Sequence, residues 1–177
     1  MDGARSLSAG TGSAAVTAEV LPYGAHLVRL DLPDRHGAAA SCVVALEAAD
    51  DYRDRGRNPY LGAVVGRWAN RIAQARFPLE YLPVEVVPNE GPHQLHGGPE
   101  GWDRKDWQVV EHTATRLLLG LVSPDGDQGF PGTVRATVSY ELSVEAGATV
   151  LELVMAATAD RSTPVNMTTH TYWNLSG

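Results

Sequence analysis

Apolar and polar residues alternate most strictly between Thr133 and Leu142. Val134, Ala136, Val138, Tyr140 and Leu142 fall on one face, and Thr133, Arg135, Thr137, Ser139 and Glu141 on the other. A period of two is the mark of a half-buried antiparallel strand. Beyond Glu145-Ala-Gly147, Leu151, Leu153, Met155 and Ala157 again share a face, so the two segments read as a hairpin. Further strands are predicted at Val16–Val20, His26–Leu32, Cys42–Leu46, Trp107–His112 and Arg116–Val122. Turn-forming clusters lie between most of them, among them Pro22-Tyr-Gly24, Asn89-Glu-Gly-Pro92 and Gly129-Phe-Pro-Gly132. Helix signals are scarce. Only Ala45–Tyr52 predicts a short helical turn, and Asp50-Asp51 would sit poorly against its C-terminal dipole. The pattern predicts one all-β, antiparallel β-sandwich over residues 16–177, preceded by a flexible Ser-, Gly- and Ala-rich tail over residues 1–15.

Composition narrows the classes. A chain of 177 residues that is 44% hydrophobic has room for one domain with a sizeable core. With 14 Lys+Arg against 21 Asp+Glu, the net charge is −7 and no basic block occurs. That argues against nucleic acid or an anionic membrane surface as a partner. No apolar run approaches the ~20 residues that span a bilayer. The single cysteine, Cys42, forms no internal disulfide, and the N-terminus has no apolar secretory stretch, so a cytoplasmic location is expected. Lys105, the one lysine, lies in the polar run Trp102–Asp106 and reads as solvated. Schiff-base chemistry needs a desolvated lysine, so that mechanism is not expected.

Three segments carry candidate chemistry. In Gly66-Arg-Trp-Ala-Asn-Arg-Ile72, an extended chain would put Arg67, Ala69 and Arg71 on one side and Asn70 on the other. The arginines would then either donate to hydroxyls or a carboxylate, or pair with surface acids. In His93-Gln-Leu-His-Gly-Gly98, the glycines let the backbone bend and a ligand approach. The His93–His96 spacing lacks the cysteines or carboxylates that would complete a metal site, so no metal is expected, and ordinary hydrogen bonding is the alternative. The third, Asn166–Leu175, is dense in hydroxyls, amides and rings. It reads either as the wall of a pocket for a small polyhydroxylated ligand or as a polar-faced strand holding a buried His170.

These segments, together with Asp125-Gly-Asp-Gln-Gly-Phe-Pro-Gly132, resemble the motifs of the aldose 1-epimerase (galactose mutarotase) family in order and spacing. The resemblance implies a large antiparallel β-sandwich that interconverts the α and β anomers of a free aldohexose such as glucose or galactose, with no cofactor. It implies that His170 is the general acid at the ring oxygen and that His96 hydrogen-bonds the sugar near the reacting centre. It places Asn70 and Arg71 on sugar hydroxyls and Tyr172 beside His170 in the binding strand. Family members are about twice this length, and their glutamate base lies in the second half. The chain is therefore expected to be the N-terminal part of such a domain, lacking that base, and none of Glu80, Glu85, Glu90 or Glu100 matches the glutamate motif. Phe77–Pro83 lacks the glycine the family has at that turn. The alternative function is a non-catalytic carbohydrate-binding module. A relative acting on a phosphorylated hexose would need additional cations, which the sequence does not place.

Overall fold

A computed structural model describes residues 1–12, 15–80 and 82–175. Strands β1 (Arg5–Ala9), β2 (Val16–Leu21), β3 (His26–Pro33) and β4 (Ala39–Ser41) form an antiparallel sheet in that order. Five short strands follow: β5 (Val64–Val65), β6 (Arg71–Ile72), β7 (Arg76–Leu79), β8 (Leu82–Glu85) and β9 (Gln94–Leu95). A second four-stranded antiparallel sheet then runs β10 (Gln108–His112), β11 (Arg116–Ser123), β12 (Val134–Glu145) and β13 (Ala148–Ala159), and β14 (Thr168–Thr169) pairs back onto β5. The main core lies between the two sheets. Leu7, Ala18, Val20 and Leu27 from the first meet Leu117, Leu119, Val138, Tyr140 and Leu142 from the second. The architecture is the expected all-β sandwich.

The alternation in β12 is realised: Val134, Ala136, Val138, Tyr140 and Leu142 are all buried, and Val144 at its end is partly buried. The facing residues of β13 (Leu151, Leu153 and Met155) are only partly buried against the same core. Tyr140 carries a hydroxyl into this core and donates it to the Ala25 carbonyl at 2.6 Å, which satisfies a group that would otherwise be costly to bury.

Several elements differ from the sequence reading. The segment read as a flexible tail contains β1, paired to β2 from Arg5↔Val20 to Ala9↔Val16. The reason is Leu7, whose fully buried side chain anchors a stretch that composition alone marks as polar. Residues 13 and 14 of that segment lie outside the described residues. The fourth ladder falls at Ala39–Ser41 rather than Cys42–Leu46. Val43 instead bridges to Trp173, and the Val44 amide donates to the Tyr172 carbonyl at 2.9 Å. The helical turn is a 3-10 helix over Ala49–Arg53. Starting later than predicted, it puts Asp50 and Asp51 in its first turn, where the dipole favours them. The β7–β8 hairpin forms without a glycine because Glu80 itself takes a positive φ of 54°. Tyr81, also in that turn, lies outside the described residues.

Arg67 departs furthest from expectation. It is neither a surface ion-pair partner nor on the same side as Arg71, because Asn70 turns the chain with a φ of +66°. Its guanidinium is buried and donates to Ser123 Oγ (2.9 Å) and to the carbonyls of Ser123 (2.8 Å), Pro124 (2.7 Å) and Pro131 (2.9 Å). Burial lowers its pKa, and the fields of Asp127, Asp125 and Asp160 act the other way. The planar fork thus ties the Ser123–Pro131 loop to the segment after β5. Arg67→Met strands these acceptors without donors and is expected to cost ~3–5 kcal/mol in chemical denaturation. A loss under ~1 kcal/mol would show that water replaces the guanidinium without penalty.

Candidate active site

The segment Gly62–Asn70 passes through the middle of the molecule and places the candidate residues. Antiparallel pairing of Thr168 with Val65 and Thr169 with Val64 brings the third motif alongside. The His170 amide then donates to Ala63 (2.8 Å), and the Gly62 amide donates to the His170 carbonyl (3.1 Å). On the other flank, β6 pairs with β9 through Arg71↔Leu95. That pairing sets His96 opposite Asn70, and the two residues exchange bonds. The His96 amide donates to the Asn70 carbonyl (3.0 Å), while the Asn70 amide donates to His96 Nδ1 (2.9 Å). Both residues hold positive φ, 66° and 51°, a conformation that non-glycine residues seldom adopt without a surrounding constraint.

Gly97 makes this approach feasible. Its φ is +87°, and a Cβ there would fall 1.9 Å from the Gly66 carbonyl oxygen. Only glycine lets the chain after His96 cross the chain before Arg67.

The result is a cluster of rings. His96 and His170 meet edge to face, with centroids 5.2 Å apart and planes at 88°. Tyr60 lies against both, 4.7 Å from His96 and 5.7 Å from His170, and Tyr172 lies 5.1 Å from His170. Arg71 makes a bidentate pair with Glu90 (Nε–Oε2 2.5 Å, Nη2–Oε1 2.6 Å) and donates to Asn70 Oδ1 at 3.2 Å. All five residues singled out by sequence, His96, His170, Asn70, Arg71 and Tyr172, are therefore neighbours. His93 is not part of the ring cluster, and its Nδ1 accepts the Gln74 amide at 3.0 Å.

The electrostatic setting of His96 is distinctive. Partial burial lowers the His96 pKa to about 4, helped by the positive fields of His170, Arg71 and Arg55 and opposed by Glu90. With Nδ1 occupied as an acceptor, neutral His96 carries its proton on Nε2 as a donor. Glu90 is a weak proton acceptor, because the Arg71 hydrogen bond holds its carboxyl below the usual range. It does not take the part of a base.

Three neighbours carried no signal in the sequence. Tyr60 sits in a loop, Arg55 lies with its guanidinium carbon 4.3 Å from the Tyr60 ring centroid, and Asp103 bonds Arg55 (Nη1–Oδ2 2.7 Å). Asp103 is buried although it lies in the polar run Trp102–Asp106, and Lys105, read as solvated, pairs with Asp127 at 3.3 Å. The flanking tryptophans were the available cue: Trp102 and Trp107 are both core residues and pull Asp103 inward.

Fold and site together define a class of protein, an antiparallel β-sandwich with two apposed histidines, an arginine and aromatic rings gathered at one place. Comparison with known sequences makes the class specific. The aldose 1-epimerase family model matches residues 6–177, and the chain belongs to that family. It is 38% identical to the aldose 1-epimerase of Escherichia coli K12 over 93% of its own length and 46% of that protein's. It is 36% identical to the galactose mutarotase of Bos taurus over 90% and 44%. Among solved structures, an aldose epimerase homologue from C. elegans superposes with a TM-score of 0.88 at 31% identity, covering 99% of this chain and 51% of that one. Galactose 1-epimerase from Lactobacillus acidophilus superposes at 0.77 with 27% identity, over 93% and 47%. The chain spans about half the length of the curated relatives it matches.

In the folded protein, nitrogen-detected NMR is expected to show His96 neutral and protonated on Nε2 across neutral pH, titrating only near 4. A midpoint at or above the ordinary imidazole value of about 6.5 would contradict the burial and charge environment described.

Proposed function

We propose that this chain is part of an aldose 1-epimerase that interconverts the anomers of a free aldohexose, glucose or galactose, by acid–base ring opening and closure. The observation that carries the reading is the His96–His170 pair, in which one imidazole is held neutral as an Nε2–H donor beside the other. Two histidines this close resist carrying two positive charges, so their roles divide. His170 delivers a proton to the ring oxygen. His96 holds that oxygen through its Nε2–H and offsets the charge that develops as the C1–O5 bond breaks. The aldehyde form rotates about C1–C2 and closes on the opposite face.

Arg71 and Asn70 orient the sugar. Of the five N–H donors of a guanidinium, Glu90 and Asn70 occupy three, leaving two for hydroxyls. Tyr172, about 40% exposed, offers an aromatic face beside His170. The carboxylate that accepts the anomeric proton belongs, by the family resemblance, to the length of the relatives that this chain does not span.

Polarimetry on freshly dissolved α-anomer tests the reading with the full-length protein. Mutarotation well above the buffer rate is expected, and a folded protein no faster than buffer overturns the reading. His170→Asn should cut turnover by ~10²–10⁴ with little change in KM, since the loss lies in proton transfer. His96→Asn should impair both binding and turnover. Near-normal turnover in His170→Asn would reassign the acid.

A further inference from the structure

The ring cluster contains one residue that neither histidine role uses. Tyr60 touches both imidazoles, at 4.7 Å and 5.7 Å, and so closes a triangle with the 5.2 Å contact between them. Its own place is fixed from two directions. The buried Asn58 staples the loop, donating from Nδ2 to the Tyr52 carbonyl (2.9 Å) and accepting the Leu61 amide at Oδ1 (2.7 Å). The Arg55 guanidinium lies 4.3 Å from the centroid of the Tyr60 ring, within cation–π range. Arg55 is in turn held by Asp103, whose carboxylate is 2% exposed. Burial raises the Asp103 pKa and the Arg55 guanidinium opposes that shift, so a carboxylate this buried resists losing the guanidinium paired with it. The ion pair therefore fixes the guanidinium, the guanidinium fixes the tyrosine ring, and the ring limits the rotation of both imidazoles.

We propose that Tyr60, backed by the Arg55–Asp103 pair, is a positioning residue that fixes the mutual orientation of His96 and His170. The proposal rests on the reading of that pair as the proton-handling centre. Its contribution is geometric: a donor and a holder of one ring oxygen must converge on it, and small angular errors cost rate steeply. The tyrosine ring, rather than its hydroxyl, performs this role.

The test uses the full-length protein with Tyr60→Leu, Tyr60→Phe and the double variant Arg55→Met/Asp103→Asn, which leaves no unpaired buried charge. Circular dichroism confirms folding. Tyr60→Leu should lower kcat by ~10-fold or more while KM stays within ~3-fold, and Tyr60→Phe should restore most of that loss. The double variant should fall between them. The nuclear Overhauser contact between the His96 and His170 rings should persist in Tyr60→Phe and vanish in Tyr60→Leu. A folded Tyr60→Leu that keeps the contact and the wild-type kcat overturns the proposal, as does a Tyr60→Phe as impaired as Tyr60→Leu. If the wild-type protein does not mutarotate, the functional reading fails, and the ring contact alone still decides for or against positioning.

Discussion

The main-chain hydrogen bonds of Gly62–Asn70 tie the first sheet, the Trp102 turn, the last segment and the chain after β9 to one short stretch. Toward the first sheet, Gly62 accepts from Leu27 and Val64 donates to Gly24, both at 2.9 Å. Toward the last segment, Arg67 accepts from Asn166 at 2.7 Å and Ala69 donates to it at 2.8 Å. Gly66 accepts from Trp102 at 3.1 Å, and Asn70 exchanges bonds with His96. Ala63, Val64 and Val65 are fully buried, so each of these polar groups needed a protein partner. Satisfying them sets His170 against Gly62 and Ala63 and sets His96 against Asn70. The site is a by-product of that requirement.

Charge is distributed around this strand with equal economy. Arg67 lies beneath it and is consumed by three carbonyls and a hydroxyl. Arg71 lies at the surface, shared between Glu90 and Asn70. Arg55 stands behind the rings on Asp103. Three arginines thus do three different things: one closes a loop, one faces solvent beside the histidines, and one supplies a fixed field. The fields of Arg71 and Arg55 both act to keep His96 uncharged. They add to burial, which is the larger cause of the lowered His96 pKa.

Much of this was legible in the sequence wherever a local rule had no competitor. The alternation from Thr133 to Leu142 had one reading, and its five apolar residues are buried as read. The five site residues were identified through motif resemblance rather than periodicity, and β5–β14 and β6–β9 pairing makes them neighbours. What escaped was set by tertiary context. Leu7 turns a Ser- and Gly-rich tail into a strand because it meets the core, which no window over residues 1–15 contains. Arg67 looked like any surface arginine until the Ser123–Pro131 loop folded over it. Tyr60 and Asp103 are more than forty residues apart along the chain, and only the fold brings both to their shared partner, Arg55.

The pairing of β5 with β14 also bears on how the molecule assembles. Val65 and Thr168 are separated by roughly a hundred residues, so their contact closes a very long loop and comes at a large entropic cost. The hairpins β2–β3, β11–β12 and β12–β13 need only local closure. Strand signal in a refolding chain can therefore rise while His170 is still far from His96. Juxtaposition of the two rings is then expected to come late, and their mutual contact should be a stricter measure of native structure than total β content.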